Sequence, residues 1–183
     1  MSPIITLRPL ELSDTEHIVK WRNKKYVRTN LYSQDEITTE QHIHYFESMV
    51  SKGLVRQFVI VVENNNNNKA IGTTFIKNID AHSRKAEFGI FIGEDDARGK
   101  GYGYQATKQT IDYAFRELRL NRIYLTVFAD NIAAIKAYKK SGFTLEGIMK
   151  EDYLRGESYV DVALMSILRS NWKGQNNGTD KSN

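Results

Sequence analysis

A glycine-rich run at residues 96–106 holds the residues of this chain that are best suited to bind a phosphate group. It contains three glycines and two cations in close succession: Arg98, Gly99, Lys100, Gly101 and Gly103. Glycine lets the backbone turn sharply and brings its N–H groups close to a ligand. An apolar stretch precedes the run and a helical pattern follows it, and a helix start offers unpaired N–H donors and a partial positive charge. The run therefore predicts a phosphate-binding turn between a strand and a helix.

A second group of residues that could do chemistry lies about one helix further along the chain: Asn131, Ala134, Tyr138, Gly142 and Phe143. Asn131 and Tyr138 are seven residues apart, nearly two helical turns, so they share one helix face. Small Ala134 between them would let a ligand approach. Two plainer interpretations stay open, because Asn131 could be a helix N-cap and Tyr138 a packed aromatic residue. Together the two groups indicate a phosphate-bearing cofactor whose reactive end meets a tyrosine.

Length and composition narrow the class of protein. A chain of 183 residues with 40% apolar and 26% charged residues fits one globular domain. The chain has no cysteine, which removes disulfides, thiolate metal sites and a cysteine nucleophile. His42 and His44 would point apart on a helix, so we expect no metal site. The net charge of +4 comes without a block of like charge, so we expect no nucleic-acid partner.

Targeting signals are not evident in the sequence. No stretch approaches the about 18 apolar residues of a membrane helix, and the N-terminus does not read as a secretory signal. We therefore expect a cytoplasmic protein with no membrane partner.

The hydrophobic pattern predicts an α/β fold of the α+β kind, with a mixed, mostly antiparallel sheet and helices packed on it. Strands are expected at 4–9, 57–62, 70–78, 86–93, 122–129, 143–153 and 158–168. Helices should follow a capping box of Ser13 and Glu16, open at Thr39, follow the glycine run, and end near Lys140. The strands on either side of the third of these helices should be parallel. We expect one domain at 1–172, a flexible loop at 64–68 and a disordered polar tail at 173–183.

Other phosphate-binding patterns compete for the glycine run. Residues 101–106 also match the dinucleotide pattern G-x-G-x-x-G/A, which leaves a nicotinamide oxidoreductase as an alternative. Against it, seven mostly charged residues separate Gly93 from Gly101, and the surrounding strands look like hairpins. A Walker loop is excluded because no Gly-Lys-Ser or Gly-Lys-Thr occurs in the run. A glycine-rich turn with no ligand is the remaining alternative.

Both motifs resemble those of the GCN5-related N-acetyltransferases (GNAT). The cofactor loop of that family reads Q/R-x-x-G-x-G/A, and residues 98–103 fit it. A second pattern, N-x-x-A-x-x-x-Y-x-K-x-G-F, is matched from Asn131 to Phe143. The resemblance covers about residues 4 to 170, and the chain looks most like the branch of ribosomal-protein-alanine, polyamine and nucleotide-amino-sugar acetyltransferases. It implies about seven strands flanked by about four helices.

The resemblance implies that acetyl-coenzyme A is the co-substrate. The cofactor-binding residues that it implies in the turn and the following motif are Arg98, Gly99, Lys100, Gly101, Tyr102, Gly103, Tyr104, Asn131 and Ala134. Backbone groups of Phe91 and Ile92 would pair with the pantetheine arm, in a gap between the strand at 86–93 and the strand at 122–129.

Tyr138 and Glu87 are the candidate catalytic residues. Acyl transfer from a thioester expels a thiolate, and a hydrogen bond from Tyr138 would stabilise it. The acceptor amine must lose a proton, and Glu87 is a candidate base through water, with a surface glutamate as the equal alternative. Because the chain has no cysteine, direct transfer in a ternary complex is favoured over a covalent intermediate.

The acceptor site should come from the first two helices, their connection and the last hairpin. Its candidate residues are Trp21, Arg22, Asn23 and Arg28. The arginines could hold a nucleotide diphosphate, and Trp21 or Tyr26 could stack on a base. A core position for Trp21 and solvated arginines are the favoured alternative. The acidic residues Asp35, Glu36 and Glu40 could instead hold a polyamine.

Several functions stay open from the sequence. The expected function is an N-acetyltransferase of a small-molecule primary amine, an amino-sugar nucleotide or a polyamine. Alternatives are acetylation of the N-terminus of a ribosomal or other protein, and a module that binds acetyl-coenzyme A without catalysis. The last two strands could also pair across a homodimer.

Overall fold

The computed structural model describes residues 4–63 and 68–174, and these residues form one seven-stranded sheet. Its strands, in chain order, are β1 (Ile4–Pro9), β2 (Arg56–Glu63), β3 (Lys69–Asp80), β4 (Lys85–Ile92), β5 (Arg122–Phe128), β6 (Thr144–Arg155) and β7 (Ser158–Leu168). They lie in the order β1-β2-β3-β4-β5-β7-β6. Neighbours are antiparallel except for the parallel pair β4–β5, as the sequence predicted.

Five helices accompany the sheet in the described part of the chain: α1 (Thr15–Arg22), α2 (Lys25–Arg28), α3 (Thr39–Tyr45), α4 (Tyr102–Arg116) and α5 (Ile132–Lys140). A π-helical segment, Phe46–Val50, continues α3. Four of the five were expected. The single-turn helix α2 was not, because four residues carry too short a pattern to be recognised.

The two faces of the sheet bury different helices. Alternation along β2 places Ile60 beneath α4, with Ala106, and places Val59 and Val61 on the opposite face beneath α1, with Ile18 and Trp21. A third cluster joins α4 and α5 to β4, β5 and β7 through residues such as Phe88, Phe115 and Met165. The sheet is therefore covered by helices on both sides.

The predicted start of α1 was wrong in detail. The capping box is formed by Glu11 and Asp14 around a short 3-10 turn, Leu12–Asp14, and not by Ser13 and Glu16. Asp14 is held by Arg8, at 2.6 Å between Nη2 and Oδ1, and this pair favours the earlier cap. At α3 the capping box of Thr38 and Gln41 fixes the helix start that the sequence indicated.

Two expectations fall outside what the structure describes. The flexible loop at 64–68 includes residues 64–67, and the disordered tail at 173–183 includes residues 175–183; all of these lie outside the described residues. No helix in the described ranges is long and apolar enough to cross a membrane.

Strands β4 and β5 separate soon after they begin. Their pairing covers only three positions, the last of which joins Glu87 to Tyr124. From Phe88 to Ile92 on one strand and from Leu125 to Phe128 on the other, neither strand pairs with its neighbour across this gap. This splay leaves backbone N–H and C=O groups of β4 without a partner strand, so that a ligand could pair with them.

Candidate active site

The glycine turn has the backbone geometry of an anion-binding loop. Gly99 and Gly101 have φ values of +73° and +80°, in the left-handed region that side chains disfavour. A Cβ at either position would meet no atom within 4 Å, so both glycines serve backbone conformation and not close packing. Gly101 is the N-cap of α4 and has no side chain to cap it. The first-turn N–H groups, of Tyr102, Gly103 and Tyr104, therefore have no intrahelical acceptor.

Charged residues hold the turn in place. Arg98 bonds Asp95 at 2.9 Å between Nη2 and Oδ1, and its guanidinium carbon lies 3.8 Å from the ring centroid of Tyr26. Lys24 bonds both Asp95 and the carbonyl oxygen of Gly93. Lys100 is exposed and lies near Asp96. Arg98 is thus held against Asp95 and the ring of Tyr26, whereas Lys100 is exposed, where a phosphate could reach it.

The register of β4 decides which backbone groups face the splay. The Gly93 N–H donates to the Ile71 carbonyl on β3 at 2.7 Å. Backbone direction alternates along a strand, so Phe91, opposite Thr73, also faces β3, and Ile92 faces the splay. The hydroxyl of Tyr26 lies 2.8 Å from the Ile92 carbonyl oxygen. Of the two residues predicted to contact the pantetheine arm, Ile92 has the better-directed backbone.

Tyr138 lies over the beginning of the splay. Its ring stands edge-on to Phe88, with centroids 6.3 Å apart at 88°, and against Phe143 at 5.9 Å. Phe88 is the first residue of β4 beyond the last position paired with β5. The Tyr138 side chain is half-buried, and its hydroxyl has no hydrogen-bond partner among the described residues. The ring of Tyr138 therefore packs in the core, while its hydroxyl is free to donate a hydrogen bond to a ligand in the gap.

Burial raises the pKa of Tyr138 to about 12. A free thiol has a pKa of about 8.5, so full proton transfer from this phenol to a thiolate would be uphill by roughly 5 kcal/mol. A hydrogen bond that stabilises the thiolate has no such requirement, since the phenol keeps its proton. The environment of Tyr138 thus favours a hydrogen-bond donor that stays protonated throughout.

Asn131 is the N-cap of α5, which is the plainer interpretation that the sequence left open for this residue. Its Oδ1 accepts from the Ala134 N–H at 3.1 Å, and its Nδ2 donates to Asn30 Oδ1 at 2.8 Å. Both ends of the amide are therefore in use, and the residue ties α5 to the connection after α2. Ala134 packs with Tyr138 against the core beneath α5. A cofactor contact by Asn131 stays a prediction.

Glu87 sits at the last paired position of β4 and β5. Lys77 approaches its Oε1 at 3.1 Å, and Asn78 donates to its Oε2 at 2.8 Å. Burial raises the pKa of Tyr124, and the charge of Glu87 raises it further. The carboxylate thus lies at the beginning of the splay and close to Tyr124, and Lys77 and Asn78 both bond its oxygens. Its role as a base stays a prediction.

Aromatic residues that the sequence analysis did not single out form a wall of the cleft. The ring of Tyr32 packs on Phe128 at 5.4 Å and on Tyr153 at 5.1 Å, and the Tyr153 hydroxyl donates to the Tyr32 carbonyl. Burial raises the pKa of Tyr32, with further contributions from groups that include Asp152 and Glu87. The segment after α2 therefore reaches across to the last hairpin beside the splay. No period in the sequence signals this contact, because it depends on a connection without regular structure.

Trp21 is part of the core and not of an exposed acceptor surface. Its side chain is 0% exposed. Its Nε1 donates to Glu94 Oε1 at 2.6 Å. A Cβ on Gly93 would lie 2.1 Å from the indole, so the ring packs directly on the end of β4. The stacking of Trp21 on a nucleotide base is not possible in this conformation, and the residue instead supports the turn before α4.

The other three acceptor candidates surround the connection between α2 and α3. Asn23 holds it by a reciprocal pair of 2.9 Å hydrogen bonds with the backbone of Ile37. Arg22 is only 9% exposed and donates through Nη2 to the Ser33 carbonyl. Arg28 bonds Glu36 at 3.3 Å. Arg22 is thus buried, contrary to the solvated alternative that the sequence favoured, whereas the Arg28 side chain stays 28% exposed.

Neither the histidine pair nor the acidic residues near α3 form a separate site. His42 is buried with its Nδ1 3.0 Å from Thr15 Oγ1, whereas His44 is exposed, so the pair does not converge. Asp35, Glu36 and Glu40 are exposed, and Glu36 is engaged with Arg28, so they do not form an isolated acidic cluster.

Comparison with known proteins agrees with this geometry. The family model described as "Acetyltransferase (GNAT) domain" matches residues 5–144. The spermidine N(1)-acetyltransferase of Vibrio cholerae is 30% identical over 172 residues, which cover 94% of this chain and 97% of that protein. An L-amino acid N-acetyltransferase of Escherichia coli is 42% identical over 89 residues, covering 48% of this chain and 53% of the relative.

Solved structures lead to the same group. The crystal structure of spermidine N-acetyltransferase from Vibrio cholerae in complex with CoA and spermine superposes with a TM-score of 0.85 at 28% identity, covering 91% of this chain and 96% of that one. A dodecameric structure of the same Vibrio enzyme in an intermediate state gives a TM-score of 0.77 at 28% identity, with 91% and 94% coverage.

The sheet that opens beside a glycine turn defines an acyl-carrier-binding fold, and the matched model spans most of the chain. The chain belongs to the GNAT family of N-acetyltransferases. It is an acyltransferase with acetyl-CoA as co-substrate, which removes the nicotinamide oxidoreductase alternative.

Proposed function

We propose that this acetyltransferase passes the acetyl group of acetyl-CoA directly to the primary amine of a small molecule. The observation that carries the proposal is the splay of β4 and β5, which opens at Glu87 with Tyr138 over its beginning and the glycine turn beyond its end. Along the splay, the backbone of β4 can form hydrogen bonds with the pantetheine arm of acetyl-CoA. In the turn, unpaired backbone N–H groups can bind its pyrophosphate.

The residues present fit acetyl-CoA. The bare N–H groups of Tyr102, Gly103 and Tyr104, with exposed Lys100, would hold the pyrophosphate. The backbone of Ile92 would pair with an amide of the pantetheine arm. When bound, acetyl-CoA supplies a thioester whose carbonyl carbon is the electrophile.

Two residues of the chain, Tyr138 and Glu87, assist the acetyl transfer. The acceptor nitrogen forms a bond to the carbonyl carbon as the carbon–sulfur bond breaks, and the electron pair leaves on sulfur. Tyr138 stabilises that charge by donating its hydrogen bond. Glu87, through water, takes the proton that the amine loses. For an amine of pKa about 10.4, deprotonation at neutral pH costs about 4 to 5 kcal/mol. A base close to the acceptor nitrogen would therefore speed the reaction by removing this proton.

Two acceptor classes have separate support. The relatives of greatest coverage include spermidine acetyltransferases, which favours a polyamine. The arginines at the connection after α2 favour an amine that carries an acidic group, such as an amino-sugar nucleotide. A protein N-terminus has weaker support, namely a putative ribosomal N-acetyltransferase of Bacillus subtilis that is 31% identical over 57% of this chain.

The test is thiol release from acetyl-CoA with a panel of amines. The panel holds spermidine, an amino sugar, a nucleotide-linked amino sugar and a peptide with a free N-terminus. We expect that at least one small amine causes thiol release from acetyl-CoA, and that calorimetry shows CoA binding. CoA binding without release for any amine would instead support a non-catalytic module. No CoA binding at all would contradict the site.

The assembly and place of action are also proposals. Strand β6 is an edge of the sheet, and Leu145, Ile148, Leu154 and Tyr159 on the last hairpin are exposed. A related Vibrio enzyme forms a dodecamer. We expect a homo-oligomer that pairs through this hairpin, working in the cytoplasm on a small-molecule amine with neither nucleic acid nor membrane as partner. Light scattering after size exclusion measures the mass.

A further inference from the structure

The end of β4 departs from regular strand geometry just before the glycine turn. The N–H groups of two successive residues, Gly93 and Glu94, both donate to the carbonyl of Ile71, at 2.7 and 3.0 Å. The carbonyl oxygens of Ile92 and Gly93 both lie 2.8 Å from the hydroxyl oxygen of Tyr26. Successive carbonyl groups of a regular strand point in opposite directions, so the backbone bulges at Gly93. The bulge turns two neighbouring carbonyl groups toward α2.

Tyr26, on α2, contacts both parts of the site that acetyl-CoA would occupy. Its hydroxyl donates to the carbonyl groups at the end of β4. Its ring lies 3.8 Å from the guanidinium carbon of Arg98, which belongs to the glycine turn. Lys24, directly before α2, donates to the same Gly93 carbonyl at 2.8 Å and to Asp95 at 3.0 Å. The start of α2 therefore joins the strand end to the turn.

The phenol of Tyr26 is a hydrogen-bond donor at neutral pH. Burial raises its pKa, and the charge of Asp95 raises it further, whereas Arg98 acts in the opposite sense. A carbonyl oxygen has two lone pairs and can accept two hydrogen bonds. The Gly93 oxygen accepts from Tyr26 and from Lys24. The Ile92 oxygen accepts from Tyr26 and can take a second bond from an N–H group in the splay.

We propose that Tyr26 is a positioning residue for acetyl-CoA. Its hydroxyl fixes the direction in which the Ile92 carbonyl accepts from an amide N–H of the pantetheine arm, and its ring holds Arg98 at the turn. The inference rests on the proposed function, because it concerns the placement of the co-substrate of that reaction. Tyr26 lies outside both sequence motifs, and this role differs from the stacking on a nucleotide base that the sequence left open for it.

The experiment compares two ligands that differ in the arm alone. CoA has the pantetheine arm, whereas adenosine 3′-phosphate 5′-diphosphate keeps the nucleotide and the pyrophosphate and lacks the arm. Tyr26→Phe keeps the ring and removes the hydroxyl. By calorimetry on the full chain, we expect this variant to bind CoA about 5- to 10-fold more weakly, the effect of one hydrogen bond. Its affinity for the shorter ligand should stay within about 2-fold of wild type, because the ring still holds Arg98.

Steady-state kinetics provide a second measurement of the same effect. The bond that positions the arm is present both in the bound state and in the transition state. Its loss in Tyr26→Phe should therefore raise KM for acetyl-CoA about 5- to 10-fold and leave kcat within about 2-fold of wild type.

Two further variants separate the ring from the hydroxyl and from folding. Tyr26→Leu also removes the stacking partner of Arg98, so it should weaken the shorter ligand as well, by about 3-fold. Tyr113→Phe removes a hydroxyl from α4, where the ring packs on Phe58, and should bind both ligands as wild type does. Thermal unfolding establishes that each variant is folded at the temperature of the binding measurement.

The results distinguish this inference from the function on which it rests. Wild-type CoA affinity in Tyr26→Phe would overturn the positioning role of the hydroxyl. An equal loss of affinity for both ligands in that variant would show a general disturbance of the turn and would also overturn it. Failure of the wild-type chain to bind CoA, measured first, contradicts the proposed function instead.

Discussion

The ring of Tyr138 stands edge-on to the ring of Phe88, with centroids 6.3 Å apart, and so joins α5 to the first residue of β4 that has left β5. This contact fixes the direction of the phenol at the place where the sheet opens. The rigid ring leaves the hydroxyl as the part of the residue that can act on a ligand. A substitution that keeps the ring and removes the hydroxyl therefore separates packing from chemistry.

Tyr138→Phe should lower kcat by roughly 10²-fold and leave the dissociation constant of CoA within about 2-fold, because one hydrogen bond to developing charge is lost. Steady-state kinetics and calorimetry measure the two effects. Tyr113→Phe, on α4 where the ring packs on Phe58, is the control and should behave as wild type. An unchanged kcat in Tyr138→Phe would remove this residue from the reaction.

The raised pKa of Tyr138 makes a separate prediction about pH. Because burial raises the pKa of the phenol to about 12, it stays protonated at every pH below about 11, so Tyr138 contributes no alkaline fall in kcat in that range. A rate profile from pH 7 to pH 10.5 checks this. A decline near pH 9 that disappears in Tyr138→Phe would show that the phenol loses its proton earlier.

Gly101→Ala should weaken CoA binding about 10-fold and destabilise the fold by about 1 kcal/mol. The reason is conformational, since the residue has φ of +80° and a Cβ there would touch nothing. Gly147 is the matched control, because a Cβ there also meets open space and its φ is not in the left-handed region. Calorimetry with CoA and thermal unfolding measure both variants. Equal CoA affinity in the two would contradict a binding role for the turn.

Much of the fold followed from local sequence patterns. Strand β1 was predicted to the residue, and the parallel pair β4–β5 followed from the helix between them. The glycine turn was found because left-handed backbone selects a residue type that can be read directly. These features depend on near neighbours in the chain.

The acceptor side could be read only in part, because its contacts depend on three-dimensional packing. Trp21 carries a strong aromatic signal, but its burial against Gly93, far along the sequence, is a property of the folded chain. The wall of Tyr32, Phe128 and Tyr153 joins three segments that have no shared period. The capping box of Glu11 and Asp14 before α1 was missed because Arg8, on β1, holds the Asp14 carboxylate in place.

Glu87→Gln should lower kcat/KM by about 10² to 10³-fold if the carboxylate takes the proton of the amine. The amide keeps the size of the side chain and can still bond Asn78, so the change removes basicity. Lys77→Met is the control, since it removes the cation at Oε1 and leaves the carboxylate in place. Kinetics with an acceptor of low pKa complete the test. The defect should shrink for such an amine, and a constant defect would indicate a structural role.

Glu146→Gln tests how the last hairpin responds to acid. Hydrogen bonds from Arg122 and then from Ser166 lower the pKa of Glu146 to about 2. A carboxyl whose folded pKa is depressed adds stability above its unfolded pKa of about 4.3, and loses it as pH falls toward the folded value. Allowing for solvent screening of this partly exposed pair, the variant should be about 1 kcal/mol less stable at pH 7 and equal to wild type near pH 2. Urea unfolding from pH 7 to pH 2 measures the difference, with Glu157→Gln in the exposed hairpin turn as control. A difference that stays constant across this range would show that the ion pair with Arg122 does not stabilise the hairpin.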